Sequence, residues 1–82
     1  MQEFDIVFHS FRDVQCFTDI ASRQSFQVFV ENSYQRVDAK SFMVMFSLDY
    51  REQLRVTADC EEAEFEAFHR QVTEALENEI RL

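Results

Sequence analysis

Few residues in this chain are equipped for chemistry, and most of those are poorly placed for it. There are two histidines, His9 and His69, and two cysteines, Cys16 and Cys60. A reactive thiol needs a basic neighbour to hold it as thiolate. Neither cysteine has one beside it in sequence, so both are expected to be small packing residues. Two cysteines are also too few for a disulfide framework and lack metal-ligand spacing, so no metal is expected. His69 lies among acids in "EFEAFHRQ" and is expected to be solvated rather than to act as a ligand. No spacing defines a nucleophilic triad or a catalytic carboxylate pair. With no glycine anywhere, the chain cannot build the glycine loops that cradle nucleotide phosphates, and no cofactor is expected. Two stretches remain. "HSFRD", residues 9–13, groups an imidazole, a hydroxyl, a guanidinium and a carboxylate. "RVDAKSFMVMFSLDY", residues 36–50, sets Lys40 and Ser41 ahead of an almost unbroken apolar run. Such a run reads as a buried strand, a buried helix or an exposed docking surface, and periodicity alone does not choose.

Charge and size limit the partners that these stretches could serve. Sixteen acidic residues against eight basic ones give a net charge of −8. Nucleic-acid binding needs clustered Lys and Arg, and anionic membranes repel such a chain, so neither partner is expected. No apolar stretch approaches the ~20 residues that span a bilayer. "MQEFDIVFHS" lacks the basic start and apolar core of a signal peptide, and a cytoplasmic location is expected. The 82 residues make a single domain, 1–82. A domain this small buries only roughly 60% of its unfolded surface, so its core must use large side chains. The ten phenylalanines meet that need, each able to bury about 150–250 Å².

The elements that would position the two stretches follow from periodicity. "EFDIVF" alternates Phe4, Ile6 and Phe8 against Glu3, Asp5 and Val7, as a half-buried strand does. Ser10 followed by Asp13 is close to a capping box and opens a helix whose stripe is Val14, Phe17, Ile20 and Ala21, running to Arg23. "FQVFV" alternates again, with Phe26, Val28 and Val30 on one face, and "ENSYQ" is its turn. "QRVDA" is a short strand, and "EQLRVTA" another with Leu54, Val56 and Ala58 inward. Asp59 and Glu62 signal a last helix, with Phe65, Phe68, Val72, Ala75 or Leu76, and Ile80 on one stripe. Glu61, Glu62 and Glu64 fall in its first turn, where the helix dipole favours acids. If the apolar run is helical, Val44, Met45 and Leu48 fall on one side and Phe42, Met43 and Phe46 on the other.

Placed in this order, "VDAKSFMVMFSLD" resembles the regulatory serine and short second helix of the histidine-containing phosphocarrier protein, HPr, of the bacterial sugar phosphotransferase system. "FTDIASRQ" resembles the end of that family's first helix. The resemblance covers nearly the whole chain. It implies an α+β fold, an open-faced β-sandwich whose four-stranded antiparallel sheet carries three helices on one face, in the order β-α-β-β-α-β-α. Residues 41–47 should then be a short helix.

The family's active site has a histidine capping the first helix, an arginine two residues on, and then a proline. The matching positions here hold Ser10, Arg12 and Asp13, and the preceding loop is about three residues shorter than the family's. A serine ester is a far poorer phosphoryl donor than a phosphoramidate, so Ser10 cannot replace the histidine; its plain role is N-cap. His9 offers the alternative, an imidazole near the helix N-terminus beside Arg12 where a phosphoryl group would be stabilised, although Asp13 would repel it. Ser41 matches the serine that a dedicated kinase phosphorylates in the family, with Lys40 adjacent, and it too could simply cap a helix. Val44 stands where the family usually has glycine. Phe42, Met43 and Phe46 match the patch through which the family docks partners. The resemblance therefore implies a binding or regulatory module without enzymatic or phosphocarrier activity, with His9 phosphotransfer as the alternative. A third reading is a structural module that only dimerises. The partner is a protein, a second copy of the chain among the candidates, and Phe29 on the helix-free face offers a second exposed aromatic.

Overall fold

The computed structural model describes residues 1–81, with side chains through Glu77. The elements follow the expected order: β1 (Gln2–Ile6), α1 (Phe11–Ser22), β2 (Val28–Glu31), β3 (Arg36–Asp38), α2 (Phe42–Phe46), β4 (Leu54–Ala58) and α3 (Glu62–Arg81). The four strands form one antiparallel sheet in the order β1-β4-β2-β3. β4 lies between the sheet's two halves, pairing Val56 with Phe4 on one side and Val30 on the other.

Period-2 alternation sends Ile6, Val28, Val30, Leu54 and Val56 to the helix side, where they join Val14, Phe17, Ile20, Met45, Phe68 and Val72 in one core. Phe17 and Phe68 are fully buried and meet at a ring separation of 6.2 Å. Phe68 also takes edge contacts from Phe4 at 6.1 Å and Phe26 at 5.8 Å. Aromatic packing thus supplies the volume that a short chain cannot gain from numbers. The strands are shorter than the alternation suggests. Phe8 and Phe26 lie outside β1 and β2 yet still pack inward. Ile80, the last residue of the expected α3 stripe, lies outside the residues whose side chains are described.

The apolar run resolves as α2, a helix of five residues capped by Ser41. Met45 and Leu48 face the core as expected, but Val44 does not; it is 37% exposed. In so short a helix the inward line is only one residue wide at each turn, and Met45 with Leu48 occupies it. α3 also begins later than Asp59 and Glu62 imply. Asp59 still belongs to the sheet side, its N–H donating to the Gln27 carbonyl at 2.9 Å. The first turn instead closes at Glu61, whose N–H donates to the Glu64 carboxylate at 3.2 Å, the return half of a capping box.

Candidate functional site

Ser10, Arg12 and Asp13 stand at the start of α1, and Lys40 and Ser41 at the start of α2, which packs against α1. Ser10 has an extended backbone, and its Oγ accepts from the Asp13 N–H at 3.2 Å, as an N-cap should. Asp13 does not complete the box by returning to Ser10. Its carboxylate, only 2% exposed, reaches one residue further and accepts from the His9 N–H at 2.9 Å. The acid expected to repel an incoming phosphate is therefore committed to pinning the chain into the helix.

His9 and Arg12 line different recesses. His9 is exposed and lines a groove between β1 and α3, with Phe4, Asp5, His69 and Glu77. Arg12 lines a shallow recess on the other side of α1, with Gln15, Cys16, Asp19 and Phe42. His69 departs from its expected solvated state. It is half-buried and stacked on Phe4 at 4.2 Å with 23° between the rings, and it touches Phe65 at 5.7 Å.

At the start of α2, the Ser41 Oγ accepts from the Val44 N–H at 3.5 Å, a long cap. Lys40 turns away from it, its Nζ donating to the Gln24 carbonyl at 2.8 Å and so tying α2 to the end of α1. Past α2, Arg51 makes a two-pronged contact with Asp49, Nε to Oδ1 at 3.0 Å and a second N–H to Oδ2 at 3.2 Å. Those hydrogen bonds hold the Asp49 carboxyl below the usual range and raise Arg51.

The three residues expected to face outward do so: Phe42 is 41% exposed, Phe46 40% and Met43 86%. They are joined by Phe11, which sequence reasoning missed. Its ring, 49% exposed, lies 4.6 Å from Phe46, which in turn lies 5.7 Å from Phe42. An aromatic at the first position of α1, off the Val14–Phe17–Ile20 stripe, was the signal available. The result is a continuous exposed aromatic surface across two helices. Arg12 and Asp19 lie beside this surface, in the recess that Phe42 also lines. Phe29, expected to be exposed on the helix-free face, is half-covered by Arg36, whose guanidinium sits 4.1 Å from the ring centre.

Cys60 is a poor nucleophile, because burial and the nearby Glu64 and Asp59 carboxylates push its thiol up. Among the described residues no three potential ligands are grouped to hold a metal ion, and no helix is long and apolar enough to cross a membrane.

The chain is similar to a solved structure, the crystal structure of HPr-C-His from Thermoanaerobacter tengcongensis. The two share a TM-score of 0.74 and 25% identity over 94% of this chain and 92% of that one. No protein-family model matches the chain, and no curated protein sequence does. The fold is HPr-like: a four-stranded antiparallel open sheet with three helices, in the element order set out above.

Proposed function

We propose that this chain is a binding or regulatory module related to HPr of the bacterial sugar phosphotransferase system. In this reading it docks a protein partner through Phe11, Phe42, Met43 and Phe46, and neither catalyses a reaction nor relays phosphoryl groups. The observation that carries the reading is the aromatic surface itself. A small domain gains most by burying its large apolar side chains, yet Phe11, Phe42, Met43 and Phe46 stay outside together here. Aromatic residues and methionine are also the types enriched where proteins meet.

The loss of phosphocarrier activity is supported from the α1 side. Ser10 and Asp13 are both engaged in capping, and His9 shares its groove with Asp5 and Glu77, whose charge opposes a phosphoryl group. A phosphate on Ser41 would gain the Lys40 charge only by drawing that side chain off the Gln24 carbonyl.

Site-specific photocrosslinking inside cells tests the docking surface. A benzophenone amino acid at Met43 should give a discrete protein adduct, and the same group at Tyr34, 88% exposed in the turn between β2 and β3, should give none. An adduct consisting of two copies of the chain would identify the partner as itself. No adduct at Met43, or equal adducts at both positions, would overturn the proposal.

A further inference from the structure

β1 is an end strand of the sheet, and its outer edge has no strand partner among the described residues. Proteins usually blunt such an edge with charged side chains, proline, a bulge or a very short strand. The opposite edge follows that practice: β3 has three residues and Arg36 at its start. β1 follows it only in its charges, Glu3 and Asp5, both acidic. It runs five residues in continuous register with β4, from Gln2↔Ala58 to Ile6↔Leu54, and "QEFDI" contains neither lysine nor proline.

Beside this open edge runs the groove that holds His9. One wall is four consecutive residues, Phe4 to Val7, and the other is one face of α3, at His69, Val72, Thr73 and Leu76. Consecutive lining residues mean that the strand backbone itself forms the wall, because alternate side chains point to opposite faces. The groove encloses about 290 Å³, at the bottom of the roughly 300–1,000 Å³ range of small-molecule sites. It suits a side chain from an added strand better than a cofactor. Asp5 and Glu77 are its charged lining residues, both acidic.

We propose that the β1 edge and this groove bind an extended basic segment of another protein as a fifth strand, separately from the α1–α2 aromatic surface. The alternation of β1 specifies the occupant. Residues of the added strand opposite Phe4 and Ile6 face the helix side, and an apolar one enters the groove. Residues opposite Glu3 and Asp5 face the helix-free side, where Lys or Arg would meet two carboxylates. The recognised pattern is therefore basic and apolar residues in alternation. Asp5 is available for this: its contact with Arg55 is long, 3.9 Å, and both side chains are more than half exposed. A second copy of the chain is disfavoured in the register that best covers the edge. Antiparallel pairing of two β1 strands about Phe4 sets Glu3 against Asp5 twice, and like charges directly opposite destabilise a sheet.

The test uses the whole chain and a short labelled peptide alternating lysine with valine or leucine. Binding should shift the backbone amide signals of Asp5, Ile6 and Val7 together with those of Thr73 and Leu76. Exchanging both acids in Glu3→Lys/Asp5→Lys should weaken binding about tenfold. N-methylating one alternate set of peptide amides should abolish binding, and methylating the other set should leave it, because only one set faces the β1 edge. A lysine–serine peptide should bind far more weakly. Shifts confined to the acidic first turn of α3 or to Phe11 and Phe46, or binding indifferent to both methylated sets, would overturn the proposal. So would pairing of two copies of the chain through β1.

Discussion

Replacing Ser10 separates a cap from a phosphoryl acceptor. In Ser10→Ala the Asp13 N–H loses its acceptor at 3.2 Å, and loss of an N-cap costs about 0.5–2 kcal/mol. The lower half of that range is expected, because the Asp13 carboxylate still holds the His9 N–H and still faces the helix dipole. Asp13→Ala should be worse. It removes a charge-assisted hydrogen bond to the part-buried His9 N–H, at about 1.5–3 kcal/mol, and a first-turn acid contributing a further ~0.3–1 kcal/mol. Ser10→Asn, an equally good cap, should be nearly neutral. Urea denaturation at neutral pH would measure all three, with an unchanged slope showing that only stability has moved. In thermal melts each kcal/mol corresponds to roughly 4–8 °C for a domain of this size. The reasoning fails if Ser10→Ala leaves the midpoint unmoved, or if it costs more than Asp13→Ala.

Other expectations follow from burial and ring contacts. Met45→Ala, at 1% exposure, should cost on the order of 2–5 kcal/mol, while Val44→Ala should stay within about 0.5 kcal/mol; denaturation of the pair reads out the rotation of α2. A double-mutant cycle on Phe11 and Phe46, whose rings lie 4.6 Å apart, should return a coupling of about 0.5–1.5 kcal/mol, and a coupling near zero would mean that the patch is two unconnected side chains. Cys60, its thiol raised by burial and neighbouring acids, should alkylate slowly in the native state at neutral pH and faster as pH rises through its elevated pKa. Rapid labelling at neutral pH would contradict that placement.

The sheet and the two long helices were legible because their apolar periods are unmixed. Phe4–Ile6–Phe8 can only alternate, and Val14–Phe17–Ile20 can only wind. The run at 41–48 was legible in outline, since a serine cap and outward Phe42 and Phe46 followed from a helical reading. The misplacement of Val44 has a physical source: five residues make barely more than one turn, so adjoining positions compete for one inward line. Three further features are set by tertiary contact and leave little trace in local spacing. Phe11 joins the patch only because α2 packs against α1. His69 stacks because β1 brings Phe4 beneath α3. The Asp13 carboxylate reaches His9 rather than Ser10 because the chain turns sharply from β1 into α1. The β1 edge groove was likewise invisible, since the order β1-β4-β2-β3 decides which strand is left at the edge.

The central claim is an HPr-like fold that binds without relaying phosphate. It is tested most directly by incubating the chain with phosphoenolpyruvate and the first enzyme of the sugar phosphotransferase system, then measuring intact mass before and after mild acid. The account predicts no phosphorylated species at any time point. An acid-labile phosphate, mapped to His9 and lost in His9→Ala, would contradict it and make the chain a working phosphocarrier.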